Sequence, residues 1–271
     1  MRRTHQIVGM LLVMAATSVA LAYAPHPGFI LSLSAGKRTK QRLNATRVVV
    51  KRTDYVGEQP QDPRELTITL REGGRVREEW TDKDGKHARI SDGTRLLLVD
   101  GEKKEKGTPE PDLLYALWAS GGEATERELA QERALKVMKA WGVAESPVAF
   151  SRMDGRVAWV IGAESRNLEV PQLWIDKDDF LPLRVLHRDV VAAPPPPAPT
   201  PDGGPAPEPA APPAATGALV DIRYRNWGSA TGGEFFPGRI ETYRDGLLVR
   251  VDELVKVDVT PKIDERDFKL E

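Results

Sequence analysis

Short runs in which apolar and polar residues alternate recur along this chain, and each predicts a β-strand. Leu66, Ile68 and Leu70 alternate with Thr67, Thr69 and Arg71, the pattern of a half-buried strand with one wet face. Residues 46–52, 75–81, 86–90, 94–99 and 148–152 read as further strands, as does 156–161, where Val157, Trp159 and Ile161 alternate with smaller residues. Residues 172–188 read as a hairpin: an apolar run through Leu173, Trp174 and Ile175, a turn of Asp176, Lys177, Asp178 and Asp179, and a second run opening at Pro182. Strand patterns return at 219–224, 238–243, 247–251 and 254–259, the last with Val255, Val257 and Val259 expected on one face. Asp-Gly pairs at Asp84-Gly85, Asp92-Gly93, Asp100-Gly101, Asp154-Gly155 and Asp245-Gly246 fall between these runs. Both residues of such a pair tolerate positive φ, so each marks a tight hairpin turn, and together they predict a meandering antiparallel sheet.

Helical periodicity is confined to three places. Residues 29–43 carry Phe29, Ile30 and Leu33 as an apolar stripe, with a basic second half. Residues 111–119 place Leu113, Leu114, Leu117 and Trp118 on one side. In 126–141 the stripe is Ala130, Ala134, Val137, Met138 and Trp141. Thr125 with Glu128 predicts a capping box there, and Gly142 a C-terminal stop. These amphipathic helices need an apolar surface to lie on, and a face of the sheet is the one large candidate. Residues 226–234, N-W-G-S-A-T-G-G-E, read as a mobile loop tip.

Composition marks two segments as different from the rest. Met1–Ala24 has Arg2 and Arg3 followed by an uncharged stretch from Ile7 to Ala22, then A-x-A patterns, as in an export signal cleaved after Ala22. The uncharged stretch is shorter than the ~20 residues of a spanning helix. Residues 190–217 are mostly Ala and Pro, with too little apolar surface for a core. They are expected to be a disordered insertion between two neighbouring strands of a single domain covering 23–271. What remains, roughly 220 residues, suffices for one large core.

Charge and chemistry narrow the function mainly by exclusion. The formal net charge is −1 and no basic patch stands out, so nucleic acid is not expected as a partner. Cysteine is absent, which removes disulfides, thiol nucleophiles, thiolate metal sites and bacterial-type lipidation. His26, His87 and His187 neighbour no nucleophile in sequence, Ser120 precedes Gly121-Gly122 between helices and not at a strand-to-helix elbow, and Gly36-Lys37 lacks the rest of a phosphate loop. Asp176, Asp178 and Asp179 lack the spacing of a cation loop and read as a solvated turn, as do Asp82 and Asp84. No enzyme, cofactor or metal is therefore expected. Binding remains, and periodicity alone leaves open whether the sheet and helices enclose a cavity or a filled core.

Three segments carry a family resemblance. L-W-I-D-K-D-D-F-L-P-L-R at 173–184 is similar to the W-I-D-x-x-T-x-L-P-x-R segment of the LolA/LolB-like superfamily of periplasmic lipoprotein carriers, with Asp179 where Thr or Ser is common. F-P-G-R-I-E-T-Y-R-D-G at 236–246 and V-K-V-D-V-T-P-K-I-D-E-R-D-F at 255–268 resemble its later strands and ending. The resemblance implies a mainly-β fold, an incomplete, unclosed antiparallel β-barrel with a helical lid over an apolar cavity for acyl chains. It implies a lid face of Leu113, Leu117, Trp118, Val137, Met138 and Trp141, and a sheet lining that includes Leu66, Ile68, Leu70 and Trp159. Each buried acyl methylene is worth ~0.8 kcal/mol, so such a site needs no ionic anchor. The implied partners are lipids or lipoprotein acyl chains and membrane transport components, with the carrier an unlipidated periplasmic monomer. The implied alternative is an envelope interaction or stress-sensor protein of the same fold. The Ala/Pro insertion is a departure from the family, and no lid-latching arginine is assignable from sequence.

Overall fold

The strand patterns assemble into a single antiparallel sheet. A computed structural model describes residues 25–40, 43–121, 123–164, 167–189 and 217–271. The export-signal segment and residues 190–216 of the insertion lie outside the described residues. Among the described residues are 14 strands: β1 Ala45–Val56, β2 Gln59–Pro60, β3 Arg64–Arg71, β4 Arg75–Asp82, β5 Gly85–Ser91, β6 Leu96–Asp100, β7 Lys103–Gly107, β8 Val148–Met153, β9 Arg156–Ile161, β10 Gln172–Asp176, β11 Pro182–Arg188, β12 Leu219–Arg225, β13 Arg239–Arg244 and β14 Leu247–Asp258. Three α-helices accompany them: α1 Pro27–Lys40, α2 Leu113–Trp118 and α3 Ala124–Ala140. The sheet order is β7-β6-β5-β4-β3-β1-β14-β13-β12-β11-β10-β9-β8, with the short β2 paired to β1. Edges β7 and β8 do not pair with each other, so the sheet is not closed into a barrel.

Hairpin chemistry explains the order. All five Asp-Gly pairs sit at hairpin turns between consecutive strands. At two of them Asp154 and Asp245 have φ of 50° and 49° and the following glycines 79° and 82°. Two consecutive residues at positive φ make the turn whose twist matches that of paired strands. The long crossing from β7 to β8 carries α2 and α3. Residues on either side of the insertion belong to adjacent strands: Arg188 pairs with Leu219, and the Asp189 N–H donates to the Ala218 carbonyl (3.0 Å).

The helices lie on one face of the sheet, and the core sits between them. Val48 and Val50 of β1, Leu66, Ile68 and Leu70 of β3, and Leu173, Ile175 and Val185 of the β10–β11 hairpin pack with Ile30 and Leu31 of α1, Leu113 and Leu117 of α2, and Ala134 and Met138 of α3. Small residues let α1 and α3 approach closely: Gly28 faces Gln131 and Gly36 faces Arg127, which donates to the Ser32 carbonyl (3.0 Å). On the opposite face Ala158, Val160, Trp174 and Leu183 form a smaller apolar patch. Beside it run charged ladders, such as Arg184 paired twice to Asp221 (2.8 and 2.7 Å).

Several expectations need correction. β14 is one strand where two were expected. A bulge opposite Val49 and Val50 leaves Val255 unpaired and 51% exposed, so it does not share the face of Val257, which packs against the core. β7, K-K-E-K-G, has no apolar residue to announce it and is a strand because it extends the β6 hairpin. The capping box is not formed: the N-cap of α3 is Glu123 and makes no side-chain cap. Gly142 does stop α3, with φ of 70°, the Gly142 N–H on Lys139 O and the Val143 N–H on Met138 O. Asp176 is not solvated. It is 3% exposed, accepts from the Asp178 and Asp179 N–H groups (2.9 and 2.6 Å) and pairs with Arg156 (2.6 Å).

Candidate functional site

The interface between α2, α3 and the inner face of the sheet brings the predicted lipid-binding residues together. Leu113, Leu117 and Trp118 of α2, Met138 of α3 and Trp141 at its end share one continuous core with Leu66, Ile68 and Leu70 of β3, and all eight are buried. Val137 and Trp159 are partly buried and pack against the same core. Trp159 lies near the β8 edge, where its ring meets that of exposed Phe150 at 4.1 Å. Trp141 stacks on His187 of β11 at 4.8 Å, and burial pushes the His187 imidazole below its ordinary pKa.

None of these ten residues lines either of two clefts, of about 290 and 380 Å³, found elsewhere on the surface. The first is bordered by Met153, Arg156, Leu183, Tyr224 and Trp227, the second by Leu43, Ala45, Arg71, Val259 and Ile263.

Directional contacts pin the lid at three points. At the C-terminal end of α2 the Arg133 guanidinium donates to the Ala116 and Ala119 carbonyls (3.2 and 3.1 Å), satisfying acceptors that a helix end leaves orphaned. Glu126, near Arg133 (3.8 Å), accepts from the N–H groups of Gly73 in the β3–β4 turn and of Gly121. Also at this end, the Trp118 Nε1–H donates to the Phe235 carbonyl (2.7 Å) and its ring meets Trp227 at 5.5 Å. The Gly-rich segment is therefore folded against the lid and not a free tip: Phe236 is fully buried, Trp227 donates to the Pro182 carbonyl (2.8 Å), and a Cβ on Gly232 would collide with Leu254 and the Phe236 carbonyl.

The third point is polar, beneath the start of α2. Asp112 caps the helix by accepting from the Tyr115 N–H (2.8 Å), and the Tyr115 hydroxyl donates to Glu78 of β4 (2.6 Å). Arg89 of β5 approaches Glu78 at 3.7 Å. Beside them Arg52 of β1 makes a bidentate pair with Asp252 of β14 (2.6 and 2.8 Å), both buried. Burial pushes Asp112 up to about 6, aided by the nearby Glu78 charge and opposed by its bond to the Tyr115 N–H and by Arg52. Burial likewise raises Tyr115 and Tyr224 well above the ordinary phenol value. Sequence reasoning missed these groups, yet a signal existed. Arg52 is in phase with inward-facing Val48 and Val50, and Glu78 with Val76, so each breaks an apolar alternation on its inner side.

Among the described residues no cluster of three or more His, Asp or Glu side chains is placed to hold a metal ion, and no helix is long and apolar enough to cross a membrane. One solved structure, a LolA superfamily protein from Nitrosomonas europaea, superposes on 91% of this chain and 98% of its own length with a TM-score of 0.52. The fold is LolA-like. A putative outer membrane lipoprotein-sorting protein domain from Vibrio parahaemolyticus shares it, with a TM-score of 0.50 over 87% of this chain and 95% of its own. Identities of 13% and 11% make this a likeness of fold. No protein-family model and no curated protein matches the sequence. In this LolA-like fold α2 and α3 pack on the inner face of an unclosed sheet.

Proposed function

We propose that this protein is a non-catalytic carrier of lipids or of lipoprotein acyl chains, exported to the periplasm and free of a lipid anchor. Its acyl site forms when α2 and α3 lift from the sheet. The observation that carries this reading is the composition of the lid interface: Leu113, Leu117, Trp118 and Met138 against Leu66, Ile68 and Leu70, joined to the sheet by few directional bonds. Lifting the lid exchanges side-chain contacts for acyl-chain contacts of the same apolar kind, at ~0.8 kcal/mol per buried methylene. The absence of cysteine from the chain supports an unlipidated form.

A second reading, an envelope interaction or sensor protein with a permanently filled interior, is favoured by one observation: the ten candidate residues line neither of the two surface clefts, and eight of them are buried in the core. Native purification followed by lipid extraction and mass spectrometry, with uptake of a fluorescent fatty-acyl probe, separates the two. The carrier is expected to yield co-purified acyl chains and to take up the probe. Reproducible absence of both bound chains and uptake would sink the carrier and leave the sensor reading.

A further inference from the structure

The polar cluster beneath α2 holds more carboxylates than its guanidiniums balance. The helix contributes Asp112 and Tyr115, β4 contributes Glu78, β14 Asp252, β12 Tyr224, and the balancing cations are Arg52 of β1 and Arg89 of β5. Arg52 is committed to Asp252 by a bidentate pair and Arg89 faces Glu78. Asp112 thus has no guanidinium of its own. It faces the backbone N–H groups of Tyr115 and Leu114 and, across the cluster, the like charge of Glu78, which the more weakly felt Arg52 opposes. Asp112 belongs to the lid and Glu78 to the sheet, so the repulsion acts across the very interface that lid opening would part.

We propose that α2 is held on the sheet by a proton-responsive latch, closed most firmly when Asp112 is protonated and loosened when it ionises. The inference takes α2 as the lid of the carrier reading, but the latch itself is a property of the empty protein. Its sign follows from the direction of the shift. In the closed state Asp112 is pushed up to about 6 from an ordinary 3.8, so the closed state binds the proton more tightly than a state with α2 released. A group raised in this way stabilises closure fully below its ordinary value, and that stabilisation is lost as pH rises through about 6. With a released-state value near the ordinary one, the opening equilibrium is expected to increase about tenfold between about pH 5 and 7.5, and little beyond.

Amide hydrogen exchange of residues 113–118 tests this without lipid. After correction for intrinsic exchange, opening of this segment in the wild type is expected to rise about tenfold from about pH 5 to 7.5. Exchange in β1 is expected not to follow it. Asp112→Asn keeps a capping oxygen but no charge and is expected to abolish the pH dependence. Glu78→Gln keeps an acceptor for Tyr115 and removes the opposing charge, so it is expected to move the transition to lower pH. It serves as the test should Asp112→Asn not fold. Wild-type opening that is flat with pH, or a slope unchanged by Asp112→Asn or, in its place, by Glu78→Gln, overturns the latch. Because no lipid is present, a protein that never takes up an acyl probe can still show the latch, and one that takes it up can lack it.

Discussion

The lid meets the sheet in two ways within the length of α2. Toward its body, Leu113, Leu117 and Trp118 join the aliphatic side chains of β3 in one buried core, an attraction that is non-directional and indifferent to pH. At its start, Asp112 and Tyr115 meet Glu78 and the Arg52–Asp252 pair, where orientation, partner and proton all matter. The apolar part supplies most of the adhesion; burying one leucine side chain is worth roughly 1.5–3 kcal/mol. The ionisable part supplies conditionality. A lid fixed by the first kind of contact alone would have a constant hold, and one fixed by the second alone would hardly hold.

The sharpest way to break this comparison is to orphan a buried charge. Asp252→Ala leaves the Arg52 guanidinium inside the core without its bidentate partner and is expected to cost about 3–5 kcal/mol in urea unfolding. A cost below about 1 kcal/mol would mean that Arg52 finds water or another acceptor, and that the polar seat is not closed. Leu117→Ala comes next, at about 2–5 kcal/mol, because α2 is clamped at both ends and cannot collapse into the space. Its cost should be the same at pH 5 and 7.5; a pH-dependent cost would show that the two parts are not independent. Trp118→Phe keeps most of the ring and removes one donor, leaving the Phe235 carbonyl without its partner. About 1–3 kcal/mol is expected, read as faster local exchange in α2 as well as a lower melting temperature.

Much of the architecture is legible in local chemistry. The Asp-Gly pairs mark five hairpins: two turns place both residues at positive φ, and in the other three the glycine alone takes it. Alternation at Leu66, Ile68 and Leu70 marks the inner face for the same reason a pleated strand has two sides. What periodicity misses is decided by neighbours. β7 is a strand only because β6 lies beside it, and Val255 turns outward because a bulge interrupts the count of two. Thr125 and Glu128 have the spacing of a capping box, but the first turn of α3 is organised instead by Glu126 reaching Gly73 and Gly121. The glycine-rich segment reads as a loose tip, yet Gly232 is there because Leu254 and the Phe236 carbonyl leave no room for a side chain. The ten apolar residues belong to or pack against one core, while the polar groups beside them escape notice because each is a single charge in an otherwise apolar phase.

The unclosed sheet has a consequence for how copies of this protein can meet. Its two free edges are unlike. β7 presents three lysines in five fully exposed residues, and two such edges brought together would oppose like charges. β8 presents Val148, Phe150 and Met153 with Arg152 as its one charge. Growth of a sheet from molecule to molecule into a fibre needs two receptive edges per copy, and here one of the two repels its own kind. Pairing of two copies through β7 is therefore disfavoured, and the lysines of β7 guard one of the two edges that an open barrel leaves free.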